Sequence, residues 1–554
     1  MFTSFVDSPR FFLDSSLSKM DEVDLRANEG LHKLGYEQQM KRSRNVWHIL
    51  FMTLAIMAVP FGLSTPIATS LVGGGTCGND MGLRIGLVIN THYRPFACRN
   101  HRKVPHLCRS LLLVFPTRFS EYRLVLSWIN GWLTLVGDWM VSLSGTAQLL
   151  VAGIGIFQPE WVATAWETYL IFMGITLMST AVGIFFNGAL PALDVLSAVW
   201  MALGIIVMLV CLSVKADAGR RSASFALGFF DPSGSGWTPG WSFFIGLLPP
   251  GRKLHFPSHH VREAYLSQSI YLFRNMHDMA EEVHDPSVDL PRAMTWQVPI
   301  GMLTGIIFLL PILFTLPDIG TLLEVPGGQP LGVMYTLIMG SRGGGFGMWF
   351  IIFGVGIFCA ISICCAASRA TWAFARDKAL PFHKVFAHVH SSGTPLNAYL
   401  LSTVVQLLIG LIYLGSSTAF NAFVGVAVIC LGASNGMAIL ISLVNGRRDV
   451  QDSPYPLGKW GVPLNAIAVL WVLFEIVLFS MPAVVPVTQV TMNYASVVFV
   501  GFGVISAVWY MISGRYHYAG PPRLESIDST IRERENSLSD SGIEDETKKA
   551  LKHT

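Results

Sequence analysis

An all-α polytopic membrane protein with nominally twelve transmembrane helices is the fold class this sequence predicts, and three observations lead there. Of 554 residues, 52% are hydrophobic and only 13% charged, about half the charged share of an ordinary soluble domain. The apolar residues gather into runs of about 20, the length that crosses a hydrocarbon core roughly 30 Å thick. The basic residues concentrate in alternate connections between those runs, as the positive-inside rule requires.

Ten runs read as spans: Val46 to Val72, Leu124 to Phe157, Thr168 to Phe186, Pro191 to Val214, Val298 to Leu316, Gly347 to Thr371, Ala398 to Leu414, Phe420 to Leu443, Pro463 to Phe479 and Ala495 to Ile512. Two more regions, Gly82 to Cys98 and Trp241 to Val283, have the right spacing but are broken up by Arg, His and Asn. Twelve crossings put both ends of the chain in the cytosol, together with Arg292, Arg376, Lys378, Lys384, Arg447 and Arg448. Of the opposing connections, Gln158 to Glu167 carries Glu160 and Glu167, and Met481 to Asn493 carries no charge. Lys215, Arg220 and Arg221 are the exception, basic residues in an expected outer loop.

The domain reading follows: a cytosolic tail over 1–45, a transmembrane domain over 46–513 and a disordered cytosolic tail over 514–554. Met1 to Arg44 is polar and charged, so no cleavable signal peptide is expected. Pro521 to Thr554 is rich in Ser, Glu, Asp and Lys, a composition that does not fold by itself. A net charge of +3 gives no sign of a nucleic-acid partner; the lipid bilayer is the expected surroundings. Of eight cysteines, Cys359, Cys364 and Cys365 share one apolar run and read as small hydrophobes, without a disulfide framework.

Several residues stand out chemically. Pro60-Phe61-Gly62-Leu63-Ser64-Thr65-Pro66 sets two prolines and a glycine inside an apolar span, where the backbone can unwind. Freed amides at Gly62, Leu63, Ser64, Thr65 and Pro66 then suit a carboxylate or dipole; a plain proline kink is the other reading. Asp138 and Glu475 are acids inside spans, which must face a cavity, a polar partner or a proton. For Asp138 the alternatives are contact with a cationic solute or coupling proton and an interhelical hydrogen bond; for Glu475 the hydrogen bond is favoured. Glu281 and Glu282, near His277 and His284, lack the HExxH spacing and a third ligand of a metal site. No metal and no cofactor is expected. The two carboxylates read instead as an intracellular gate paired with Arg292 or Arg376, with solvated loop charges as the rival reading.

Three stretches carry a resemblance: LGYEQQMKRSRNVWHILFMTLAIMAVPFGLSTPIATSLVGGG from Leu34 to Gly75, MAEEVHDPSVDLPRAM from Met279 to Met294, and SRATWAFARDKALPFHKVFAHVHSSGTPLNAYLL from Ser368 to Leu401. They resemble the fungal branch of the amino acid, polyamine and organocation (APC) permease superfamily, over roughly four-fifths of the chain. The resemblance implies a LeuT-like fold of two inverted five-helix repeats plus two helices, with the solute held at mid-membrane between broken helices one and six. It implies secondary active transport of an amino acid, GABA, choline, polyamine or similar amine, with protons as a coupling ion, at the plasma membrane or a vacuole. A non-transporting sensor of the same fold is the alternative, as is a permease inactivated by damage to helices two and six. An integral membrane enzyme finds no paired His/Asp ligands and no nucleophile with a base.

The resemblance fails in two places. From Gly75 to Ser120 the second helix is missing. Read one base out of frame with synonymous codons, Gly75 to Gly82 becomes GPVGMIWG and Arg99 to Arg118 becomes EITGKYPTSAGAYYWSFRLA, strings like those the family has there. The segment 75–120 therefore reads as frame-shifted. Between Pro250 and Met276 a run rich in Arg, Lys and His replaces the apolar middle of helix six, and 250–276 reads as an insertion.

Overall fold

Asn45 opens the first membrane helix. Its side-chain oxygen accepts from the amides of Trp47 and His48, two of the donors that a helix start leaves unpaired. Helix α1 runs Val46–Met57 and stops at Ala58, which takes left-handed backbone angles (φ 42°, ψ 47°). The cause lies two residues on. Pro60 has no amide hydrogen and its ring crowds the carbonyl four residues back, so the carbonyl of Ile56 loses its helical partner. The Cys359 thiol donates to that oxygen instead, at 3.3 Å. Helix α2, Val59–Ser64, resumes with Pro60 in its first turn, where no donor is needed. The sequence expects an opening inside Pro60 to Pro66; among the described residues the structure breaks the helix at Ala58, because a proline disturbs the turn before it.

The structure is a computed structural model that describes residues 24–25, 27–28, 31, 36–64, 122–140, 144–230, 236–238, 240–241, 279–323, 325, 330–391, 393–415, 417–447, 461–482, 486–488, 492–518 and 520. The suspect segments 75–120 and 250–276, and Pro521 to Thr554, lie outside these residues, as do Thr65 and Pro66. After the first helix come α3 (Arg123–Met140) and α4 (Ser144–Phe157), together one crossing, then α5 (Ala165–Phe185), α6 (Leu190–Lys215) and the short α7 (Ala223–Gly228). Next are α8 (Pro286–Phe314), α9 (Ile319–Leu323), α10 (Leu331–Met339), α11 (Arg342–Arg376) and α12 (His383–Phe386). The chain continues with α13 (Leu396–Gly415), α14 (Ser417–Val444), α15 (Gly461–Ser480), α16 (Ala495–Trp509) and, beyond a π turn, α17 (Arg515–His517).

Ten helices among the described residues are long and apolar enough to cross a membrane, and they coincide with the ten runs read from the sequence. No strand forms among these residues; Arg44 and Val283 make an isolated bridge. The 35-residue α11 is the hub, packing against α1, α3, α4, α5, α6, α10 and α13. The last helix outruns its expected end at residue 513: Tyr518 is buried, its hydroxyl 2.8 Å from that of Ser127 on α3.

Side chains sort by environment. Leu203, Ile206, Val210 and Val214 on α6, Leu470 and Leu473 on α15, and Val497, Val500, Val504 and Ile505 on α16 are all more than half exposed. Contiguous apolar rows of this kind are foreign to a water-facing surface and natural against lipid. Hydroxyls turn inward and pair between helices: Thr180 with Thr403 at 2.8 Å, Thr134 with Ser434 at 2.8 Å, Thr371 with Ser402 at 2.9 Å. Such pairs satisfy polar groups that lipid cannot.

The exceptional basic residues have a structural use. At the end of the bundle where α6 and α8 finish, Arg221 donates through Nε to Leu316 O (3.0 Å) and through its amide to Phe314 O (2.8 Å), with its guanidinium over the Phe225 ring. Arg220 Nη2 donates to Ser213 O at 2.9 Å, and Lys215 stands in the last turn of α6. All three lie where terminal carbonyls are unpaired and the helix dipole is negative. They act as caps. Arg221→Ala is expected to destabilise the purified protein by about 1–2 kcal/mol, and Arg220→Ala, whose bond is exposed, by less than about 0.5 kcal/mol; thermal melting of the two variants checks the order.

Candidate functional site

The opposite end of the bundle holds a buried ion-pair cluster that ties five segments of the chain together. Its centre is Glu282, in a 3-10 turn (Ala280–Glu282) that precedes α8. One carboxylate oxygen accepts from Arg44 Nε at 3.0 Å, the other from Arg369 Nε at 2.9 Å. Arg44 also reaches Asp194 on α6 at 2.6 Å. Arg369, on α11, donates further to Tyr399 on α13 at 2.8 Å and to Asn187, just before α6, at 2.7 Å. Beside this group Arg376 pairs with Glu281 at 2.6 Å, its guanidinium between the rings of Tyr36 and Trp372. Three guanidiniums thus meet three carboxylates. Arg44 is 1% exposed and Arg369 0%.

Charges so deep are tolerable only in each other's company, and removing one partner of a buried pair costs about 3–5 kcal/mol. Burial alone would raise the Glu282 carboxyl, but the Arg369 and Arg44 guanidiniums outweigh it and hold the group below the usual carboxylate range. Burial would likewise lower the Arg44 guanidinium, yet Asp194 and Glu282 keep it raised.

Backbone bonds reinforce the side chains. The amides of Ser43 and Arg44 both donate to Glu282 O at 2.9 Å, and His284 N donates to Arg44 O at 3.1 Å. Arg42 Nη1 reaches Val283 O at 2.8 Å, and the Tyr36 hydroxyl reaches Asp377 at 3.1 Å. Residues 36–45 therefore lie as an extended strap across this end and lead directly into α1.

The break at Ala58 sits farther inside. Phe61 crosses from α2 to α11 and α4, where a methyl added at Gly356 would come within 3.0 Å of its ring and one at Gly145 within 3.1 Å. Glycine at both positions makes room for the ring. Gly62, Leu63 and Ser64 lie within α2 and are buried. The Ser64 hydroxyl is 3.3 Å from that of Tyr335, a fully buried residue of α10, which packs over the other end of the break.

The structure joins Glu281 to Arg376 and Glu282 to Arg44 and Arg369. Arg292 is exposed on the first turns of α8, and its charge acts on Asp289; its place among the paired charges is not kept. Asp138 is buried on α3, which packs against α14 and α11; the neighbouring Trp139 donates to Thr371 on α11 at 3.0 Å. Sequence reasoning missed Arg44, Asp194, Arg369 and Tyr399. Asp194 and Arg369 had the same signal as Asp138 and Glu475, a charge inside an apolar run.

Comparisons with known proteins agree with this architecture. A polyamine transporter of Saccharomyces cerevisiae is 28% identical, covering 97% of this chain and 86% of its own length. A choline transporter of the same yeast is 24% identical over 96% of this chain and 91% of its own. Amino-acid permease 2 of Neurospora crassa is 30% identical over 72% of this chain and 71% of its own. A family model described as amino acid permease matches residues 112–503, more than half of the sequence. With ten membrane-length helices, a first helix broken at Ala58 and that match, the chain belongs to the amino acid permease family and is a multi-pass membrane transporter of the LeuT-like fold.

Proposed function

We propose that this permease carries out secondary active uptake of an amino acid or a related amine, such as GABA, choline or a polyamine, by alternating access, with protons as coupling ion. The observation that carries the reading is the Glu282 cluster: a buried, charge-balanced closure laid over one end of a broken helix. A group held by paired charges can part and re-form without leaving a covalent trace, which suits a gate. The names of its relatives, transporters of polyamine and choline and a permease of amino acids, support the solute class.

In this reading the end bearing the strap, Arg376, Lys378, Lys384 and Arg447 is cytosolic, both termini face the cytosol, and the membrane is the plasma membrane. The solute meets Gly62, Leu63, Ser64, Thr65 and Pro66 beside the break, with Asp138 as the acid available to a cationic group. Glu281, Glu282 and Arg376 close the cytosolic side together with Arg44 and Arg369. Two further crossings, in the regions 82–98 and 241–283, complete twelve, and the segment 75–120 is frame-shifted relative to the gene. Transcript sequencing and uptake of labelled GABA, choline, amino acids and polyamines into transporter-deleted yeast test these points together. The frame-corrected chain is expected to take up at least one of them, and the chain as printed little or none. A transcript supporting the printed frame at both edges would remove the frame reading; absence of any uptake by the corrected chain would remove the transport reading.

The closure makes a second prediction. Glu282→Gln leaves two buried guanidiniums short of a countercharge, at a cost of about 3–5 kcal/mol, and is expected to lower uptake by about tenfold or more. It also exposes native Cys365, buried one turn from Arg369, to thiol alkylation, which peptide mass spectrometry reads directly. Arg292→Ala is expected to stay within about twofold of wild type, as surface changes do. The sign with pH follows from the depressed Glu282 carboxyl. Its contribution is present above the unfolded value and lost as pH falls through the folded one. The melting temperature of the wild type is therefore expected to hold at neutral and mildly acidic pH and to fall only below the usual glutamate range.

A further inference from the structure

Helices α14 and α15 meet along a small-residue seam, and a carboxyl is sealed inside it. Gly432 and Gly436 stand one turn apart on α14; α15 sets Glu475 and Val472 against them. A methyl added at Gly436 would come within 2.9 Å of Val472, whereas one at Gly432 would find Glu475 Oε2 as its nearest neighbour, at 3.6 Å. The missing side chain at Gly432 is thus what leaves space for the carboxyl. Glu475 is 2% exposed, and neither of its oxygens has a hydrogen-bond partner among the described residues.

Among the described residues no countercharge faces it. Besides Glu475 itself, α15 has no titratable side chain, α16 has none, and α14 has only Cys430. That thiol lines a groove between α3 and α16, together with Tyr510. The nearest basic residue along α14, Arg447, lies against Gly461 at the far end of α15. An ionised carboxylate sealed in an apolar seam without donor or cation is strongly disfavoured. A metal ion or an amine would need further ligands and a cavity, and this seam offers one carboxyl and closely packed walls. A proton is the one cation that fits.

We propose that Glu475 is an intramembrane proton-binding site, carrying a proton in this conformation and able to release it only when the seam between α14 and α15 parts. The site is separate from the cytosolic closure and does not depend on the solute or on the coupling of its transport. Release places a negative charge beside Gly432 and favours separation of the two helices; uptake of a proton from water lets them close.

Infrared difference spectroscopy on the full-length protein in lipid nanodiscs, Glu475→Gln against wild type at neutral pH, tests this. The expected result is a protonated-carboxyl C=O band in wild type that the variant loses. Glu475→Leu, which keeps the seam apolar, serves as a second variant and must lose the same band. Thermal melting from neutral to alkaline pH gives an independent measure: wild type is expected to weaken as pH rises, and Glu475→Gln to hold its melting temperature. A spectrum with no such band to lose, or melting curves that move together with pH in both proteins, would overturn the proposal.

Discussion

A single carboxylate, shared between two arginines, is the constraint on which the rest of the basic end depends. Glu282 offers one oxygen to Arg44 and the other to Arg369, so the strap before α1, the turn before α8 and the hub helix α11 are fixed by one side chain. Both oxygens need a donor because the side chain is only 9% exposed, and each guanidinium needs a carboxylate because it is buried almost completely. Asp194, Tyr399 and Asn187 accept from further donors of the two arginines. The charges at this end are thus paired with one another, and elsewhere the helix bundle can be oily.

Much of this fold was legible in the sequence because a membrane imposes a coarse rule. Ten apolar runs became ten helices, since lipid leaves the backbone no alternative to internal hydrogen bonding. Pro60 announced the discontinuity in the first helix but not its place. The orphaned carbonyl belongs to Ile56, and a thiol some three hundred residues away in sequence satisfies it. Arg220 and Arg221 looked like a violation of charge topology because a composition rule counts charges without seeing what they bond. Once Arg221 is placed on Leu316 O and Phe314 O, its position follows from helix termination.

The cluster itself was half legible. Glu281 and Glu282 were picked out as an adjacent acidic pair leading into a helix, and Arg376 as a basic residue at the end of a span. The actual partners of Glu282 were hidden because pairing across 87 and 238 positions is a property of the fold, not of any local pattern. Arg292 shows the converse: it is close to the acids in sequence, but α8 turns it outward, and Arg376 is the arginine that pairs. Asp194 and Arg369 lay inside apolar runs and obeyed the rule that singled out Asp138, so consistent use of that rule would have found them.

The strap and the turn before α8 are joined by peptide groups, whereas both are held to α6 and α11 by side chains. These two kinds of bond fail differently under load. Three main-chain hydrogen bonds between residues 43–44 and 282–284, with the Arg42 side chain on Val283 O as a fourth link, bind the entrance of α1 and the entrance of α8 into one stiff plate, while the contacts with Asp194 and Arg369 work like a clasp along its rim. Because peptide hydrogen bonds hold it, the plate keeps the entrances of α1 and α8 in one orientation, whereas the clasp is only as strong as the charges on Arg44, Arg369, Asp194 and Glu282.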